Sequence, residues 1–179
     1  MTISDSQRDM RSVYYGGAFG MLSSALAWFA AAVVALRVSP ERAVWVLFVG
    51  AMFIHPIAVL LNKAVGRTGS HQAGNPLGSL AMATTFWLIL SCPLAYAASL
   101  VHIEWFFPAM LLVIGGRYFT FATLFGTRIY WVCGATLALA GYLLAKSQAS
   151  PALGAFTGSA IEAVFACIIF TTARHESAI

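Results

Sequence analysis

Apolar residues fall in six long blocks separated by short polar stretches, and this spacing predicts helices over about 13–36, 43–64, 77–101, 105–125, 129–145 and 152–172. Each block is near the roughly 20 residues that an α-helix needs to cross a hydrocarbon layer about 30 Å thick. The pattern therefore predicts an all-α, polytopic membrane protein with six transmembrane helices, one domain over residues 1–179, with the lipid bilayer as its surroundings. Residues 1–10 read as a polar tail. Arg37 to Arg42 reads as a tight turn, with Pro40 where a first helical turn tolerates it. Lys63 to Pro76, rich in Gly, Ser, His and Asn, is the longest polar connection and the midpoint of the chain.

Composition supports the same class. Hydrophobic residues make up 60% of the chain and charged ones 9%, with a mean hydropathy of +0.83. That leaves too little polar surface to cover a soluble globule. The net charge of +4 is carried by residues at the ends of the apolar blocks and not by a patch, so nucleic acid is not an expected partner. Cys92, Cys133 and Cys167 lie inside apolar blocks without CxxC spacing, which points to neither a metal nor a disulfide framework. No nucleotide-binding or hydrolase motif is present, and no cofactor is expected.

Six spans put both termini on one side. Placing them in the cytoplasm sets Arg8, Arg11, Lys63, Arg67, Arg128 and Arg174 inside against Arg37, Arg42 and Lys146 outside, and a bacterial inner membrane is the expected location. Small residues recur every three to four positions in two spans, Gly16, Gly20 and Ser24 and then Gly134, Ala138, Gly141 and Ala145, and in the last span Gly154, Gly158 and Ala166 share a four-residue register with Glu162. Such stripes let helices approach closely, and the first or the fifth span is the expected face of a homodimer. Short matches between the halves, Arg42-Ala43-Val44-Trp45-Val46 with Arg128-Ile129-Tyr130-Trp131-Val132 and Pro76-Leu77-Gly78 with Pro151-Ala152-Leu153-Gly154, hint at a 3+3 inverted repeat.

The candidate chemistry lies at mid-membrane. Arg117 interrupts the fourth apolar block, Glu162 the sixth, and His55 the second, where Pro56 also breaks the backbone ladder. At about 1.5 Å per residue the three occupy nearly one level. An Arg117–Glu162 ion pair, which would relieve both desolvation penalties, is the expected contact. Tyr118, Thr120 and Asn62, the last on the same helical face as His55, complete the expected substrate-binding set. The leading expectation is a small inner-membrane transporter or channel-like protein. It would hold a small, anionic solute or ion at this site, and protonation of Glu162 or His55 would supply coupling. The alternative is a structural or regulatory membrane protein in which the pair only fixes helix packing. An intramembrane enzyme ranks third, because no nucleophile or metal-ligand set accompanies these residues.

Overall fold

In a computed structural model, which describes residues 1–176 and the side chains of residues 1–173, the chain forms helices throughout and no strand occurs among the described residues. The helices are α1 (Ile3–Tyr14), α2 (Ala18–Arg37), α3 (Pro40–Ala64), α4 (Leu77–Val101), α5 (Phe106–Phe125), α6 (Ile129–Lys146) and α7 (Pro151–Glu176). Six of them, α2 to α7, are long and apolar enough to cross a membrane. The Arg174 side chain, used in the orientation count, lies outside the described residues.

The expected polar tail is instead a helix. Thr2 caps it: the Asp5 amide donates to Thr2 Oγ1 at 3.2 Å, and the Thr2 amide donates back to Asp5 Oδ2 at 3.2 Å. This reciprocal arrangement satisfies two of the amides that a helix start leaves open. The membrane-length helix α2 begins at Ala18, after a turn at Tyr15–Gly17. Between α1 and α2 three successive residues take positive φ: Tyr15 at 53°, Gly16 at 63° and Gly17 at 91°. A Cβ at Gly17 would also run into the Tyr130 hydroxyl, so glycine is required there on two counts.

The remaining boundaries follow local chemistry. Ser39 accepts the Arg42 amide at 3.2 Å, and Pro40 and Glu41 occupy the first turn of α3. Residues Ile103–Trp105 form a short 3₁₀ turn ahead of α5, and Gly126, at φ 65°, ends α5 in the left-handed conformation. Helix α5 runs unbroken through Gly115-Gly116, and α3 and α4 continue through Pro56 and Pro93. The hydroxyls near Pro93 bond carbonyls one turn back, Ser91 to Trp87 at 2.8 Å and Thr85 to Ala81 at 2.9 Å. The carbonyl that Pro93 releases belongs to Ile89, which these hydroxyls do not reach.

Helix α2 packs between α3 and α7, α5 packs between α4 and α6, and α6 meets α7. Exchanging the two three-helix halves therefore maps the α2–α3 contact onto α5–α6 and the α2–α7 contact onto α5–α4, while the α6–α7 contact has no counterpart of like extent between α3 and α4. Trp28, Phe106, Phe107, Leu111, Tyr130 and Leu137 fill the centre. Met52, Leu60, Leu90 and Leu94 on α3 and α4 point outward, as suits helices apolar all round.

The small-residue stripes divide by use. A Cβ on Gly115 would stand 2.8 Å from the Gly134 carbonyl oxygen, and one on Gly134 would stand 2.6 Å from that of Gly115, so α5 and α6 cross backbone to backbone. The α6 stripe is thus occupied within the chain by α5 and does not provide the expected dimer face. On α7, Gly154 abuts Phe107 and Gly158 abuts the Trp28 ring, while Glu162 and Ala166 are buried. This is the close-packing face read from the sequence. The first-span stripe is broken, because Gly16 belongs to the turn and nothing lies within 4 Å of a Cβ built on Gly20.

Candidate functional site

Glu162 enters the bundle centre about three turns into α7 and is 0% exposed. Two contacts fix the helix around it. Ser159, one turn earlier, donates to the Ala25 carbonyl of α2 at 3.0 Å, and Gly158 seats the Trp28 ring. The carboxylate is met by α5: the Tyr118 hydroxyl donates to Oε1 at 2.8 Å. Ser24 of α2 approaches the carboxylate without reaching hydrogen-bond geometry, and Oε2 has no partner.

Arg117 does not form the expected ion pair; no Arg117 nitrogen lies within hydrogen-bond or ion-pair distance of Glu162. Its guanidinium donates to Thr85 Oγ1 on α4 at 3.1 Å and lies 5.1 Å from the centre of the Phe121 ring. Its Nε is buried without a partner. The reason is helical geometry. Residues 117 and 118 are consecutive and so point about 100° apart around α5. Once Tyr118 turns inward to α7, Arg117 must face α4.

The other expected site residues are dispersed. His55 is exposed on the outer side of α3 and forms no hydrogen bond with Glu162 or Arg117. Thr120 donates to the Arg117 carbonyl at 2.6 Å, which ties it to its own helix. Asn62 is buried, but within the last turn of α3, where its Nδ2 donates to the Ala58 carbonyl at 2.8 Å and its Oδ1 is unpartnered. At the depth of Glu162 the structure therefore brings together Tyr118, with Arg117 beside it. Thr85 joins them through Arg117, and Ser24, which in the sequence reads only as part of a packing stripe, joins them beside the Glu162 carboxylate. Among the described residues no group of three His, Cys, Asp or Glu side chains is placed to hold a metal ion.

Two grooves mark the outside of the bundle. One, between α2 and α3, is lined by Ala27, Trp45, Val49 and Gly50; the other, between α6 and α7, includes Leu143, Lys146 and Thr157. Neither includes Glu162, Arg117 or Tyr118.

A six-helix membrane protein with an enclosed polar centre is thus the class that fold and site define. Residues 3–172 match a family of unknown function (DUF7010), and the chain belongs to that family. No curated protein and no solved structure matches it.

Proposed function

We propose that the protein is a small inner-membrane transporter. It moves a small anionic or carboxylate-bearing solute through a midplane site built from Arg117, Tyr118 and Glu162, with Ser24 and Thr85 at its edge. The observation that carries this reading is the pair of buried atoms left without partners, Glu162 Oε2 and Arg117 Nε. A side-chain clamp kept only for packing would be expected to satisfy its own polar atoms, since each orphan costs about 1–3 kcal/mol. Open valences on an acid and a base at one level suit a site that a solute completes. The enclosed geometry is then an occluded conformation, opened by movement of the two three-helix halves. Coupling falls to Glu162, because His55 faces outward.

Orientation follows from the ends of the bundle. Arg8, Arg11, Lys63, Arg67 and Arg128 lie at the end that carries α1, and Arg37, Arg42 and Lys146 at the other. The richer end is assigned to the cytoplasm. A homodimer is proposed through α2, where Leu22, Leu26, Phe29 and Val33 form an exposed apolar row at helical spacing.

Accessibility at Ser24 tests the transport reading. In a protein with Cys92, Cys133 and Cys167 replaced by alanine, Ser24→Cys is expected to react with a charged, membrane-impermeant thiol reagent added to one face of sealed vesicles. The clamp reading expects no reaction from either face until the protein is unfolded.

A further inference from the structure

We infer that Glu162 stands here as the un-ionised acid, and that its proton travels with the solute, so that the protein carries one proton with each monovalent anion. The inference rests on the transport site proposed above and on a charge count around that site.

A buried carboxylate needs either a cation in contact or several donors. Glu162 has neither: it accepts one hydrogen bond, from Tyr118, and its second oxygen has no partner. The titratable and charged groups facing it are Arg117 and Tyr118 of α5 and Cys133 of α6, with the Ser24 hydroxyl from α2. Of these only Arg117 carries a charge, and its guanidinium donates to Thr85 on α4 and does not reach the carboxylate. Oε2 is the atom free to hold the proton, because Oε1 is already the acceptor of the Tyr118 hydroxyl.

With the acid neutral, Arg117 is a partly buried cation with no counter-ion among the described residues. Adding one monovalent anion makes the site electrically neutral. If the proton leaves, Glu162 itself becomes the counter-charge and competes with that anion. Anion and proton therefore bind cooperatively, and by linkage each raises the affinity for the other by one common factor. The step is balanced: on release the O–H bond of the Glu162 acid breaks, the proton goes to water, the anion leaves, and the carboxylate turns to Arg117 in the open conformation.

Infrared difference spectroscopy of the purified protein in lipid tests this directly, with formate and nitrate as probe anions. The wild-type protein is expected to show the carbonyl stretch of a protonated carboxylic acid that Glu162→Gln abolishes. Raising the pH should remove the band, and adding either anion should shift that loss to higher pH. Glu162→Gln, an isostere of the neutral acid, is expected to keep its thermal stability and to bind the anions with little pH dependence. Wild-type affinity should instead fall by at least about fivefold once the acid ionises. Absence of the carbonyl band at neutral pH overturns the proton assignment, whatever the accessibility at Ser24. A band that no anion affects overturns the coupling, and Arg117→Gln then distinguishes the cases: unchanged anion binding in that variant places the anion elsewhere. Failure of the Ser24 accessibility test with the band present would sink the transport reading while leaving the protonated acid in place.

Discussion

The Tyr118 hydroxyl donates to Glu162 Oε1 at 2.8 Å, joining α5 to α7 inside the bundle. This contact ties the first and last helices of the second three-helix half at the depth of the membrane centre. Tyr118→Phe removes the donor and leaves the acid with no hydrogen bond, and is expected to cost about 1–3 kcal/mol of stability. Thermal unfolding in detergent of Tyr118→Phe, of Glu162→Leu, which removes the acceptor, and of their combination forms a double-mutant cycle. Additive losses would show that the bond contributes nothing.

The crossing of α5 and α6 gives a prediction of opposite signs at neighbouring positions. Gly115→Ala puts a methyl 2.8 Å from the Gly134 carbonyl oxygen and is expected to destabilise by about 1–3 kcal/mol, as overpacking does. Gly116→Ala meets nothing within 4 Å and replaces a poor helix former, so it should be neutral or stabilising by up to about 1 kcal/mol. Equal melting temperatures for the two variants would contradict the packing.

Helix α1 closes one end of the bundle, and its docking is polar. Asp9 accepts from Asn75 Nδ2 at 2.7 Å and from the Gln72 amide at 3.0 Å. Gln7 Nε2 donates to the Thr123 carbonyl at 2.8 Å, and the Tyr14 hydroxyl bonds His71 Nδ1 at 3.0 Å. Asp9→Ala leaves the Gln72 amide and one of the two Asn75 Nδ2 hydrogens unmatched, the other still donating to the Ser6 carbonyl, at a cost of about 1–3 kcal/mol. Amide exchange should accelerate in α1 and in residues 65–76 together. Exchange confined to α1 would mean that the loop holds its shape alone.

The start of α1 is pH-sensitive in a defined direction. Thr2 donates to Asp5 from its hydroxyl and its amide, and these bonds hold the Asp5 carboxyl below its usual value of 3.8. A depressed folded-state value means that the capping contribution is present at neutral pH and lost as pH falls through the lowered value. Carbon-detected titration of Asp5 should give a midpoint under 3.8, and Thr2→Ala should return it toward that value.

Topology has its own test. Arg67 lies in the α3–α4 connection at the α1 end and Lys146 closes α6 at the other. Single cysteines at these positions, in a protein lacking the native three, should label from opposite faces of the membrane. Labelling from the same face would remove the six-span arrangement.

Six spans, their approximate ends and the inward face of α7 were legible in the sequence, because they depend on quantities that act along one helix. A run of apolar residues must be buried in lipid or protein. Gly154, Gly158 and Ala166 put Glu162 on a face that only another helix could cover. Tertiary structure alone decided which helices supply the cover. Arg117 and Tyr118 share one depth, and nothing in their order says which of two faces 100° apart meets α7; the packing of α5 between α4 and α6 selects Tyr118. His55 sits at a suitable level, but the rotation of α3 against α2 turns it outward. Helix α1 was hidden for a different reason: its polar residues show no apolar run, and they are ordered by bonds to carbonyls and loops that are distant in sequence.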